Sequence, residues 1–590
     1  MSRLQQFISE LKRRRVIRTL IGWGIFSFAV LQVVEPVLHA YHLPDGLLTV
    51  VVTVLAAGFP AAVVLAWVFD ITARGIVRTG PPPGAGGLAP SGPRLAMLLL
   101  GLGLLAAAPG LAYFHLRPGA GGRPAEGTGP ATAAPSIAVL PFVNLSSDKE
   151  QEYFSDGIAE EILNALAQVD GLRVVGRTSS FAFKGKSEDL AGIAQKLHAT
   201  SILEGSVRKD GNRVRITAQL INAADGYHLW SQTFDRELTG TFAVQDEIAE
   251  AVVEALKVKL LPGVRPTAGE GHSTNAEAFN HFLLGREFRR RGTAKQVYER
   301  ARVELESALR IDPAYAPAWA ELAHVLFSLA DDAGGAAAVT DAKHRARAAV
   351  ERAVALDPTL PDALVERARM RETEEWDWNG ARADAGRALA LAPGYARAKR
   401  RYGWLLAQTG RPVDGVPYLT KAIELDPLDS ANWITLGNMY LSSGRTAEAR
   451  AAFERALELA PESTYSPFLL GLTYLVSGEP APALALFEKN KGSTWRLTGV
   501  AIARHDLGQG LESEKALQEL VTTEADSSAY QIAQVHAWRG EKDVAFAWLD
   551  RAYAQRDAGL AELRVDPLLR RIRDDPRYAA LLRKVNLPAD

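Results

Sequence analysis

The chain has 590 residues, about four times a typical ~150-residue domain, so length alone excludes a single core and predicts several units. Hydrophobic residues at 47%, charged residues at 23% and a formal net charge of -1 exclude a wholly disordered chain and leave no electrostatic footprint for nucleic acid. The absence of cysteine removes disulfides, thiolate catalysis, cysteine-ligated zinc and iron–sulfur clusters together.

Residues 1–19 form a basic N-terminus with Arg3, Lys12, Arg13, Arg14, Arg15 and Arg18. Apolar runs follow at 20–38, 47–69 and 95–116. At about 1.5 Å per helical residue each is long enough to cross a ~30 Å hydrocarbon layer, which predicts a membrane domain of three transmembrane helices over 20–116. The loop from Tyr41 to Asp45 has no lysine or arginine, whereas Arg74, Arg78 and Arg94 follow the second run. That asymmetry predicts a cytoplasmic N-terminus and places everything after Leu116 across the membrane. Glu35, the one carboxylate in a run, lies beside Pro36 within reach of interfacial water. Residues 80–93 and 117–135 are rich in Gly, Pro and Ala without periodicity and read as tethers.

From Ser136 the pattern changes. Ser136 to Pro141 reads as a strand, and Ile158, Ile162, Leu166 and Val169 give the following helix one apolar face. Leu172 to Val175 reads as a second strand and Leu190 to Leu197 as a second helix. Val214, Ile216, Ala218 and Leu220 alternate with Arg213, Arg215, Thr217 and Gln219, and Asp210-Gly211 and Asp225-Gly226 suit two-residue hairpin turns. A helix from Val244 to Leu260 completes the order βαβαβββα, a small α/β domain over 136–262. The phrases SIAVLPFVNLSSDKEQEYFSDGIAEEILNALAQVDGLRVVGRTSSFAFKG and LEGSVRKDGNRVRITAQLINAADGYHLWSQTFDRELTGTFAVQDEIA resemble the module of bacterial envelope proteins similar to the amino-terminal domain of TolB and to the FlgO family. The first ~78 residues resemble the membrane segment of such proteins. The resemblance implies a non-catalytic module and a multi-pass protein of the bacterial inner membrane, with its large C-terminal part in the periplasm. It also implies that the cytoplasmic effector of many relatives is missing here, since few residues precede the first run.

Prolines at 358, 393, 427 and 461 recur every 34 or 35 residues, each closing a phrase such as AVALDP, ALALAP, AIELDP or ALELAP, and Pro313 closes ALRIDP upstream. This is the tetratricopeptide period: small residues let paired helices approach, and proline stops the second helix so that the chain can turn back. The repeat from Ser430 carries Trp433, Gly437, Tyr440, Ala449, Phe453, Ala456 and Pro461 on the family pattern, and the next keeps Gly471 and Tyr474. The whole is expected to be an all-α solenoid over 275–555, with a helical cap over 556–590. In the repeat family, partner peptides lie on the first helices, which here implies Arg397, Arg400, Trp404, Gln408, Asn438, Tyr465 and Leu472 as candidate peptide-binding residues.

No catalytic chemistry emerges. Lys184-Gly185-Lys186-Ser187 ends like a phosphate-binding loop, but Ser180 stands where that loop needs its first glycine. No HExxH occurs, and Glu160-Glu161, adjacent on a helix, are expected on different faces or in solvent. The expectation is therefore a membrane-anchored, non-enzymatic scaffold without cofactor, metal, nucleic acid or small-molecule substrate, whose partners are proteins or peptides and the lipid bilayer. The alternative is a transmembrane sensory or regulatory protein.

Overall fold

The computed structural model describes residues 135–588 except 170, 187, 212, 238–246, 249, 253, 256–272, 274, 292–294 and 332–335, together with residues 30, 69–72 and 75–78. The chain divides into two units, Met1–Ala131 and Thr132–Asp590. In the first, β1 (Phe69–Thr72) pairs antiparallel with β2 (Gly75–Arg78), Phe69 opposite Arg78 and Thr72 opposite Gly75.

The expectation of three transmembrane helices, and with it a multi-pass inner-membrane location, is corrected here: no helix among the described residues is long and apolar enough to cross a membrane. Phe69, assigned to the end of the second run, instead opens a strand, because the β-branched residues Ile71, Thr72, Ile76 and Val77 suit a paired ribbon. Apart from Val30 and Phe69, the residues of the three runs lie outside the described residues, as do residues 1–19, Glu35 and the tethers at 80–93 and 117–134.

The second unit opens with β3 (Ser136–Val139), β4 (Val143–Asn144), α1 (Glu152–Ala167), β5 (Arg173–Val174), α2 (Arg177–Phe181) and α3 (Leu190–Leu197). Three longer strands follow, β6 (Ser201–Asp210), β7 (Arg213–Asn222) and β8 (His228–Glu237). The sheet order is β5-β3-β6-β7-β8, with β4 also on β6; β3 is parallel to both neighbours, and β6 to β8 form an antiparallel meander. All four residues of β3 are buried, as a central parallel strand covered on both faces requires. Ile137 and Val139 face the core shared with Ile158, Ile162 and Leu166 of α1, whereas Ala138 and Leu140 face that of Ile193 and Leu197 from α3. The described residues of 247–255 are helical, and Ile248 and Val252 join the α1 side.

Asp210 pairs with Arg213, the register of a two-residue turn. The second turn is longer than expected: β7 ends at Asn222 and β8 begins at His228. The side chains hold this loop, Asn222 Oδ1 accepting from Ala224 N at 3.0 Å and Asp225 Oδ1 from Tyr227 N at 3.0 Å, with Gly226 at φ +73°.

Eight helical hairpins follow among the described residues. The first four pair α4 (Ala276–Arg290) with α5 (Lys295–Ile311), α6 (Ala316–Asp331) with α7 (Ala336–Leu356), α8 (Pro361–Met370) with α9 (Trp378–Leu391), and α10 (Ala396–Gln408) with α11 (Pro412–Leu425). The last four pair α12 (Ser430–Ser442) with α13 (Thr446–Leu459), α14 (Tyr465–Val476) with α15 (Pro480–Glu488), α16 (Ser493–Asp506) with α17 (Gly510–Glu524), and α18 (Ala529–Arg539) with α19 (Lys542–Gln555). The repeat residues explain the packing. A Cβ on Gly437 would stand 2.4 Å from the Phe453 ring, so only glycine lets α12 and α13 approach this closely. Ala449, Phe453 and Ala456 are fully buried, and the Trp433 indole donates to Pro427 O at 2.9 Å, tying a helix start to the preceding stop. Tyr440 and Tyr474 lie under the guanidinium groups of Arg445 and Arg450.

The third hairpin departs from the pattern. A π-turn at Arg371–Glu375 follows α8 and ends at Trp376 with φ +53°, taking up the extra residue of the 35-residue interval. After α19 the chain makes two 3₁₀ turns, Ala558–Glu562 and Pro567–Ile572, before α20 (Pro576–Lys584).

Candidate interaction face of the repeats

The first helices of successive hairpins pack against one another, and the C-terminal segment 558–588 runs back across them from the eighth hairpin to the third. Its attachment is apolar and extensive: Leu560, Leu563, Leu569 and Ile572 share one core with Trp376 and Trp378 of the third hairpin and Tyr530 of the eighth. Directed bonds fix its register. The Trp378 indole donates to Val585 O at 2.8 Å, Gln408 Nε2 to Ala561 O at 3.3 Å, and Tyr530 OH to Asp566 Oδ2 at 2.8 Å.

Four of the candidate residues come together under this segment. Trp404 is 9% exposed and shares a core with Leu436, Met439 and Val565, and its indole bonds to Glu562. Gln408 is fully buried, its amide shared between Ala561 O and Glu372 Oε1 at 2.9 Å. Asn438 bonds to Tyr465, whose ring centroid lies 4.7 Å from that of Trp495. Leu472 points into the repeat core. Arg397 and Arg400 diverge. Arg397 pairs with Glu366 and with Asp362 at 3.2 Å, whereas Arg400 reaches Asp429 at 2.6 Å and Asn432 at 3.0 Å.

Three carboxylates that the sequence did not bring to attention, Glu372, Glu562 and Asp566, meet in this face. Burial first, then the neighbouring Glu372 and Asp566 charges, push Glu562 up to about 8 against the pull of Trp404 and Arg401. Asp566 is raised by burial, although Gln534, Leu568 N and Tyr530 donate to it. The signals were short: Asp566-Pro567 and Asp575-Pro576, both aspartates capping the turn that follows. Beside the segment, Trp376, Arg382, Arg411 and Asn586 line a cleft of about 410 Å³.

The α/β module reaches the repeats at the stop phrases. Ser179 N and Oγ donate to Asp426 Oδ1 at 2.8 and 2.5 Å, and Gly176 N donates to Leu425 O at 2.6 Å. Burial, with Asp429 nearby, pushes Asp426 up to about 6 against the Ser179 bonds. A second contact is ionic: Arg286 of α4 pairs with both Glu160 and Glu161, and Arg290 with Glu160. Adjacent carboxylates expected on different faces or in solvent are thus both buried, because one forked guanidinium spans the pair.

Two tetratricopeptide-repeat family models match residues 430–463 and 377–430, so the C-terminal part carries these repeats. Residues 132–251 match the second domain of HilA/YgeH-like transcriptional regulators. A protein of Rhizobium meliloti (strain 1021) named putative adenylate cyclase 3 is 45% identical over 190 residues, 32% of this chain and 32% of that protein. The chain thus spans about a third of that relative. Among solved structures, PilF of Pseudomonas aeruginosa is similar at 21% identity and a TM-score of 0.29, over 36% of this chain and 92% of its own. PilW, described as a type IV pilus biogenesis factor, is similar at 20% and 0.29, over 34% and 93%.

Proposed function

We propose that the chain is a non-enzymatic protein–protein interaction scaffold that takes an acidic and apolar peptide segment in a 3₁₀-turn conformation on the first helices of its central repeats, around Trp404, Gln408, Asn438 and Tyr465. The observation that carries this reading is the chain's own segment 558–566, which already lies on those side chains in the manner of a ligand. Ala561 offers a carbonyl to Gln408, Glu562 a carboxyl to Trp404, and Val565 an apolar side chain to the same indole. A partner with this chemistry would compete with the intramolecular segment, whose local concentration is high.

The test uses the full chain and a labelled peptide of residues 558–572. Trp404→Ala with Gln408→Ala should raise hydrogen exchange across 558–572, and a chain ending at Gln555 should capture the added peptide. A folded truncation that ignores the peptide, or unchanged exchange in the double variant, defeats the reading.

A second reading, a regulatory protein coupling a binding event to an effector, has two observations in its favour: the α/β module matches a domain of transcriptional regulators, and the Rhizobium relative is named for a cyclase.

A further inference from the structure

The α/β module contains a cleft of about 720 Å³, within the range of small-ligand pockets. It lies beyond the C-terminal end of β3, where ligands of open α/β sheets bind, and where α3 stops covering the second face of the sheet. One wall is the half-exposed face of β6 and β7, with Glu204, Ser206 and Gln219. The opposite wall is the loop between α2 and α3, where Lys184, Gly185 and Lys186 stand, and Lys149 closes one end. Leu140, Phe183 and Leu190, on the α3 side of the sheet, supply apolar surface between them, whereas the Phe142 ring packs against Gly205 on the α1 side.

The charges of this cleft divide into spent and unspent. Lys184 pairs with Asp156 at 2.5 Å and Glu152 at 3.0 Å, and Glu188 pairs with Lys196. Among the described residues Glu204 on the sheet wall has no hydrogen-bonding or charged partner, and Lys149 and Lys186 have no carboxylate, Lys186 lying 5.6 Å from the centroid of the Phe183 ring. Ser206 and Gln219 beside Glu204 hold side-chain hydrogen-bonding capacity that no described residue uses. Gly185 has φ +71°, and a Cβ there would meet nothing within 4 Å, so no side chain crowds the backbone between the two lysines.

An acid on one wall, amines on the other, amide-type partners beside the acid and apolar surface between form the complement of a zwitterion with an amide bond and apolar side chains. We propose that this cleft is a binding site for a short free peptide of two or three apolar residues, its ammonium group at Glu204 and its carboxylate at Lys186 and Lys149. The amide bond lies against Ser206 and Gln219, and the side chains against Leu140, Phe183 and Leu190. The site is independent of the repeat face and of its occupant.

Calorimetry of the full chain with leucyl-leucine, N-acetyl-leucyl-leucine and leucyl-leucine amide tests it. Saturable one-to-one binding of leucyl-leucine is expected, with each cap weakening it about tenfold. Glu204→Gln should erase the penalty of acetylation while leaving that of amidation, and Lys186→Gln with Lys149→Gln should do the reverse. All three positions are exposed or half-exposed, so thermal unfolding should not change. No saturable binding of leucyl-leucine, equal binding of the capped forms, or capping penalties that survive both sets of substitutions would each overturn the proposal; the capping comparison needs no variant at all.

Discussion

Gly437 and Arg397 mark the two limits of what single residues reveal. Gly437 was legible because its reason is local to the repeat: α12 and α13 meet there, and the Phe453 ring leaves no room for a Cβ. Gly437→Ala is therefore expected to destabilise the repeats by roughly 1–3 kcal/mol through overpacking, read as a lower denaturant midpoint. Gly444→Ala fills open space instead, and its cost is only that of a side chain at φ +76°. Arg397 was illegible in the same sequence. Its partners Asp362 and Glu366 belong to the preceding repeat, and only the superposition of hairpins turns a candidate surface cation into an internal ion pair.

Among the elements, the helices were readable wherever the 34-residue period persisted, and the C-terminal segment was not. Residues 556–590 read as a helical cap, yet the part that covers the first helices consists of two 3₁₀ turns ahead of α20, and such turns have no 3.6-residue stripe to detect. What fixes this element is its acids. Glu562 faces Glu372, Asp566, Arg401 and the Trp404 indole, and its folded pKa of about 8 lies above the usual glutamate value. A raised acid contributes stability that is fully present below about pH 4.5 and lost as pH rises toward about 8. Attachment of 558–572, followed by hydrogen exchange, should thus weaken across that interval, and Glu562→Gln should flatten the dependence. An equally steep dependence in the variant would assign the titration to another group.

For the whole molecule, the decisive feature is how the α/β module and the repeats share one buried ionic cluster. Burial opposes the charge on Glu160 and Glu321, but Arg286, Arg289 and Arg290 outweigh it, holding Glu321 at about 2 and Glu160 well below the usual carboxylate range. Stability from lowered acids is present above about pH 4.5 and lost as pH falls toward about 2. Limited proteolysis between the two parts should therefore accelerate below pH 4.5. Arg286→Met leaves Glu160 and Glu161 buried without this cation and should cost about 3–5 kcal/mol. None of this was visible in sequence, because Glu160 and Arg286 lie 126 residues apart.

The return of segment 558–588 to the third hairpin also sets an order in time. Trp376 and Trp378 are made long before the residues that cover them, since the bond from Trp378 to Val585 spans 207 positions. During synthesis the third hairpin must wait for this cover until Val585 has been made. A nascent chain halted before Ala558 would carry all eight hairpins and still display those aromatic faces, the kind of surface that chaperones and proteases recognise. Arrival of segment 558–588 is in this way written into the surface of the repeats, and quality control can read it there.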